Sequence, residues 1–323
     1  MPGVCCPQDN IRRITDRIPY SCCAVRDFFC KNLLRGLCFV KDGTARIHKI
    51  MPRLIRLLLL VFILNVHAVL AQNISGTVIN AEDKQPVDFV NIGIAGKNVG
   101  TVTDVNGCFH LSVDPCFSCD SLLFSRIGYN SCSIKIADIM IDSMMVVPLK
   151  EKTYELSELK ITPRKFKTRT LGVTTKFKKM NAGFEHNLLG YECGILMKVK
   201  KSALIKKVNI HIATCTYDTI LYRLNIYKVQ GKSTFVNMLK EPVYITMPGS
   251  AVKDEIQLDL QSKNIVVDGN FLITLEHVKD LGEGLLYFCA GFGEKTYFRK
   301  TSQGKWETVP IGISISVLAD VEK

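Results

Sequence analysis

The sequence predicts an all-β protein, a small Greek-key sandwich followed by a larger jelly-roll-like β-sandwich. Three observations carry this. Residues 72–323 hold no long helical pattern, only short runs in which apolar and polar residues alternate. Gly, Asn-Gly, Asp-Gly and Pro separate those runs, as tight turns require. The texture then changes over 151–183, where eight basic residues and no acidic one lie between Lys160 and Lys179. That stretch reads as a basic inter-domain linker dividing the strands into two groups.

What precedes the strands is of a different kind. Arg53 and Arg56 lead into the apolar run Leu57 to Leu64, and Val69-Leu70-Ala71 closes it with residues that a signal peptidase reads. Residues 51–71 are therefore expected to be a secretory signal peptide cleaved before Gln72. The unbroken run is about half the roughly 20 residues that a spanning helix needs. No cysteine follows the cleavage site, so a lipid anchor there is not expected. Residues 1–50 carry six cysteines, among them the adjacent pairs Cys5-Cys6 and Cys22-Cys23, which lack zinc-ligand spacing. They are expected to be a non-translated or disordered leader upstream of a true start at Met51. The rival reading is a cysteine-rich cytoplasmic tail.

The first group of strands spans 72–150. ISGTVIN (74–80) forms a strand, and a polar turn from Ala81 to Pro86 leads into a second over 87–95, with Val90, Ile92 and Ile94 on one face. In GTVTDVNGCFHLSV (100–113), Asp104, Asn106 and Gly107 predict a tight hairpin turn between two strands. Calcium on Asp104 and Asn106 is disfavoured, because a calcium loop needs a longer acidic series; Asp104 is expected to cap its own turn. LLFSRIGY (122–129) and MMVVPL (144–149) supply further strands. Cys116 and Cys119 form a CxxC, and with Cys108 and Cys132 they make a candidate disulfide or thiol group. Structural disulfides, reduced thiols and a metal or redox role all stay open.

In order, GTVIN, QPVDFVNIGI, GTVTDVNGCFHL, LLFSRIGY and VPL resemble the carboxypeptidase-regulatory-like domain, a transthyretin-like sandwich. The resemblance covers about a quarter of the chain. It implies a Bacteroidetes-type exported protein of the kind that carries this domain ahead of TonB-dependent outer-membrane receptors. YELSELKI (154–161) resembles the segment leading into a receptor plug, but the 162 residues after Ile161 are too few for a plug and a transmembrane barrel. The family's name refers to a peptidase, yet the domain has no zinc site, so the resemblance implies no catalysis.

The second group, 184–323, alternates strongly. Val208, Ile210 and Ile212 alternate with Asn209, His211 and Ala213, and Ile311, Ile313, Ile315 and Val317 with Gly312, Ser314 and Ser316. Ile256, Leu258 and Leu260 behave likewise, and 221–229, 270–277 and 285–290 add further strands. Eight to ten strands suggest two facing sheets.

No catalytic, metal or cofactor motif occurs: there is no HExxH, no GxSxG and no phosphate-cradling loop. His211 could be grouped with Cys215 and Asp218, but its place in the alternation reads as a solvated strand face. Glu276-His277 and the acids Glu192, Asp254 and Glu255 show no arrangement of their own. Tyr217, Tyr222, Tyr227, Tyr297 and Trp306, with Phe298, are the candidate ligand contacts of a glycan-binding face. The reading is an exported, non-enzymatic accessory or binding protein of the periplasm or outer membrane, associated with TonB-dependent uptake. The alternatives are a secreted hydrolase with its site in 184–323, or a glycan-binding module. An outer-membrane receptor or other envelope protein is the expected partner. Glycan or anionic headgroups are expected against 160–179, and nucleic acid is not. The chain's net charge of +12 supports no nucleic-acid reading, since residues 72–323 hold 31 basic and 26 acidic residues.

Overall fold

The computed structural model describes residues 72–139, 144–154, 165–231 and 234–323. The expected leader (1–50), the signal peptide (51–71) and residues 155–161 of YELSELKI lie outside them. Strands joined by turns and short 3-10 segments make up the described chain. No helix among the described residues is long and apolar enough to cross a membrane.

The first sandwich has two sheets. β1 (Gln72–Asn80) lies between β4 (Cys108–Val113), antiparallel, and β7 (Met144–Leu149), parallel. The facing sheet runs β3 (Gly100–Val102), β2 (Asn91–Ile94), β5 (Ser121–Ser125), β6 (Cys132–Lys135). Every second residue of β1 and β4 points inward, as an antiparallel strand with one wet face requires. Phe109 of β4 meets Phe124 of β5 edge-to-face at 5.7 Å and ties the sheets together.

Two expectations need correction here. The strand expected over 87–95 begins only at Asn91, because Phe89 takes a left-handed backbone with φ 50°. The turn at Asp104 is not a hairpin between paired strands, since β3 pairs with β2 and β4 with β1. It carries the chain from one sheet to the other. Asp104 nevertheless caps it, its Oδ1 accepting from the Asn106 and Cys108 amides at 2.8 Å, with Gly107 at φ 71°.

The second sandwich begins inside the stretch read as a linker. β8 (Phe166–Gly172) falls within 151–183, β9 (Asn181–Phe184) begins there, and both belong to its sheets. β8 is an edge strand paired only with β22 (Ile315–Glu322), and its basic residues face water, as suits an edge. One sheet runs β13 (Thr234–Asn237), β12 (Thr219–Gln230), β17 (Phe271–His277), β10 (Glu192–Met197), β19 (Thr296–Arg299), β20 (Glu307–Val309), with β14 (Val243–Pro248) also on β12. The other runs β21 (Gly312–Ile313), β18 (Leu286–Gly291), β11 (Ser202–Cys215), β22, β8. β15 (Glu255–Asp259) and β16 (Val266–Asp268) also pair with β11, and β9 pairs with β18. Ile195, Leu224, Ile226 and Ile273 of the first sheet pack on Ile205, Val208, Ile210 and Val317 of the second.

The two sandwiches touch along a dedicated seam. A Cβ on Gly93 or Gly100 would lie 2.4 Å from the carbonyl oxygen of Ser302, so only glycine lets the β2–β3 hairpin reach that loop. Gly96 donates its amide to the Gln303 carbonyl at 2.9 Å, and Gln303 Nε2 donates to Ser125 Oγ at 2.7 Å. Phe89, Val102 and Val278 form an apolar cluster across the seam, with Leu189, Leu221 and Tyr244 packed around it.

Candidate functional site

Beside that seam the sandwiches enclose a cavity of about 250 Å³. Its floor is the outer face of the second sandwich's first sheet, lined from β12 and β19, and its roof is the first sandwich. On β12 the residues Arg223, Asn225 and Tyr227 recur at every second position and share this face, while Leu224 and Ile226 point into the core. Asn91, the 125–131 loop, Lys152 and Tyr154 close it from the first sandwich, and Phe235, Asn237 and Trp306 from the second.

A row of charges runs through the floor, its arginines in the wall and its carboxylates behind it. Arg223, Glu276, Glu192 and Arg299 stand in direct register across β12, β17, β10 and β19, in the order plus, minus, minus, plus. Both carboxylates are fully buried, and Arg223 is 1% exposed. Arg223 donates from Nε (3.1 Å) and Nη2 (2.8 Å) to Glu276 Oε2. Arg299 donates from Nε to Glu192 Oε2 at 2.7 Å, and its Nη2 lies 2.6 Å from the same oxygen. Asn225 Nδ2 bridges the carboxylates, at 2.9 Å from Glu192 Oε1 and 2.7 Å from Glu276 Oε2. Thr274 donates its hydroxyl to Glu192, and the Tyr227 hydroxyl to Glu192 Oε2 at 3.3 Å. Opposed carboxylates cannot ionise equally. Burial, aided by the Glu276 charge, raises the pKa of Glu192 despite Arg299. Burial also opposes the charge on Glu276, but Arg223 and Arg299 together hold that carboxyl below its usual range.

Arg223 also fastens the first sandwich to this floor. Its Nη1 donates to the Phe89 carbonyl at 2.7 Å, and its Nη2 to Asn91 Oδ1. The left-handed turn at Phe89 thus supplies an acceptor to a buried guanidinium, an unusual backbone conformation held where two domains meet.

Aromatic rings form the remaining wall. The Arg299 guanidinium lies 5.1 Å from the ring centre of Trp306, whose edge contacts are Phe235 at 5.2 Å and Tyr227 at 5.9 Å. At the mouth, Lys152 and Lys240 flank the Tyr154 ring at 5.4 and 5.6 Å. Arg126 pairs with Asp88 and lies 5.2 Å from the Tyr129 ring.

Of the candidate ligand contacts, Tyr227 and Trp306 converge on the cavity. Tyr297 stands beside them, edge-on to Phe235 at 5.9 Å, and Phe298 stacks on Tyr191 at 6.3 Å. Tyr217 and Tyr222 are buried in the core around His277, at 6.4 and 5.5 Å between ring centres. His211 is not solvated as expected: it is 6% exposed, with Nδ1 3.0 Å from the Ser314 hydroxyl. Its Nε2 lies 3.9 Å from Glu255 of the paired strand β15. Cys108, Cys119 and Cys132 are free thiols, the first two exposed, and Cys116 is exposed as well. No group of His, Cys, Asp and Glu among the described residues is arranged to hold a metal. Arg223, Asn225 and Arg299 escaped the sequence reading, which named Glu192 and Glu276 only as acids without an arrangement of their own. Their only signal was polar alternation (R-x-N-x-Y on β12), which reads as a wet face whether water or another domain covers it.

Residues 74–161 match the CarboxypepD_reg-like domain. The domain so defined covers the whole first sandwich and continues through YELSELKI. No curated protein matches the chain. Among solved structures, the cysteine protease and lectin-like domains of Cwp84, a surface layer associated protein of Clostridium difficile, align at 8% identity and TM-score 0.31, over 79% of this chain. The chain spans 59% of the length of that one. The infectious bursal disease virus VP2 subviral particle aligns at 9% identity and TM-score 0.14, over 78% of this chain and 65% of its own. Neither likeness carries an argument about function.

Proposed function

We propose that the chain is an exported, non-enzymatic binding protein of the cell envelope, serving TonB-dependent uptake, and that its ligand occupies the cavity between the CarboxypepD_reg-like domain and the second sandwich. One observation carries the reading: guanidinium, amide and aromatic groups line the cavity, while Glu192 and Glu276 lie fully buried behind them, Glu192 hydrogen-bonded through both oxygens and Glu276 through Oε2. Such a wall can hold a polar ligand but offers it no carboxyl group for acid–base chemistry or attack. The basic edge strand β8, with Lys167 and Arg169 exposed, favours a place against an anionic surface.

Trp306 is the chain's single tryptophan, so the protein carries its own probe in the cavity wall. The test is titration with a polysaccharide fraction of a bacterial outer envelope, following Trp306 emission and the release of reducing ends. A saturable emission change without new reducing ends is expected. Steady release of reducing ends would establish a hydrolase instead. An unchanged Trp306 signal would remove the cavity as a binding site.

A further inference from the structure

We infer that the cavity selects a carboxylate-bearing sugar, a pyranose acid such as a hexuronate, with Arg299 reading the carboxylate and Trp306 and Phe235 packing on the ring. The inference rests on the proposed binding role and specifies its ligand.

Three observations converge on that chemistry. The cavity wall holds four cationic side chains, Arg126, Lys152, Arg223 and Arg299, and no acidic one. Their counter-charges, Asp88, Glu192 and Glu276, all lie outside the wall. A ligand therefore meets donors and positive charge at close range, which penalises cations and favours anions.

Not all of those donors are spent. Arg299 commits Nε and Nη2 to Glu192 and Tyr227, while its Nη1 makes no hydrogen bond among the described residues. Asn91 accepts from Arg223 through Oδ1, leaving its Nδ2 hydrogens similarly unengaged. Lys152 has a ring beside it but no acidic partner among the described residues. An arginine fixed by two bonds on one edge presents the other in a set orientation, the geometry that recognises a carboxylate.

The third observation separates a sugar acid from a bare anion. Trp306 and Phe235 set apolar ring surface beside Arg299, with Tyr227 next to them. A pyranose ring has C–H faces that pack on aromatic rings and hydroxyls that suit Asn91 and Gln303. A free phosphate would leave the aromatic surface unused. The cavity volume suits one such ring with a few waters.

Calorimetric titration with D-glucuronate, D-glucose, inorganic phosphate and tri-galacturonate tests this, using the whole chain from Gln72 onward. Glucuronate or tri-galacturonate is expected to bind at least about tenfold more tightly than glucose or phosphate. The tighter of the two acids tells whether a free sugar or the end of a glycan is the natural form. Lys152→Ala, at the rim, is expected to weaken the acids several-fold and leave glucose unchanged. Arg299→Lys is expected to erase the preference for the acid; should that variant fail to fold, the Lys152 variant still decides. Glucose binding as tightly as the acids overturns the inference while keeping the cavity as a site. So does phosphate binding as tightly. If none of the four binds but the envelope fraction still shifts Trp306, the sugar-acid class is wrong and the binding role stands. If nothing shifts Trp306, both fall.

Discussion

The residue that most repays attention is Glu276. Among the described residues it is the acidic partner of Arg223, which in turn donates to both the Phe89 carbonyl and Asn91 across the seam. Glu276→Gln leaves a buried guanidinium without its counter-charge and is expected to cost about 3–5 kcal/mol. Glu192→Gln should cost distinctly less in urea melts, because burial already disfavours its charge and Arg299 keeps Glu276 at 3.7 Å. Equal losses would contradict the division of charge between the two. His277 offers a second test. It is buried with neither ring nitrogen hydrogen-bonded, and burial depresses its pKa. Below about pH 6.5 the unfolded chain takes up a proton that the folded chain refuses, so stability is full above that pH and falls as pH drops toward the folded pKa. His277→Phe, among Phe184, Tyr217 and Tyr222, should flatten the loss between pH 7.5 and pH 5.0 in urea midpoints. A variant with the wild-type pH slope would exclude His277 as its source. Neither residue could be singled out in the sequence. Glu276 sits at a polar position of an alternating strand, and nothing local distinguishes a face covered by water from one covered by a domain.

At the level of elements, the strands were largely legible and their partners were not. Val208, Ile210 and Ile212 on β11 and Ile74 and Val78 on β1 mark inward faces by period alone. Asp104 and Gly107 mark a turn equally well, but turn chemistry does not say whether the next strand pairs with the last or crosses to the facing sheet. The basic strand β8 read as a linker, because an edge strand open to water carries linker composition. The shortened β2 follows from one left-handed residue, Phe89, which sequence preference argues against. The β2–β3 hairpin makes its own prediction. Gly93→Ala places a methyl against the Ser302 carbonyl and should lever the hairpin from the loop, costing about 1–3 kcal/mol as an overpacked contact does. Gly96→Ala, with open space around it, should lose only what its positive φ of 72° demands. Thermal melts of the two variants separate the seam from mere backbone strain.

For the whole molecule, the proposed function rests on what the two sandwiches enclose together. Neither contains the cavity alone: the floor belongs to β12 and β19, the roof to Asn91, the 125–131 loop and Lys152. On the proposed reading, the CarboxypepD_reg-like domain is half of the binding site, held in place by Arg223 and the glycine seam. The fold class of each half could be read from alternation and turns. The site could not, because it arises from residues that converge only once the halves dock. The most direct test compares wild type with Gly93→Ala in the envelope-glycan titration. Gly93 is outside the cavity wall but builds the seam beside it. Wild type should give a saturable Trp306 response, and the variant, with its own Trp306 emission and β-sheet signal intact, should give none. A Gly93→Ala protein that binds with wild-type affinity would contradict the account, since the second sandwich would then suffice.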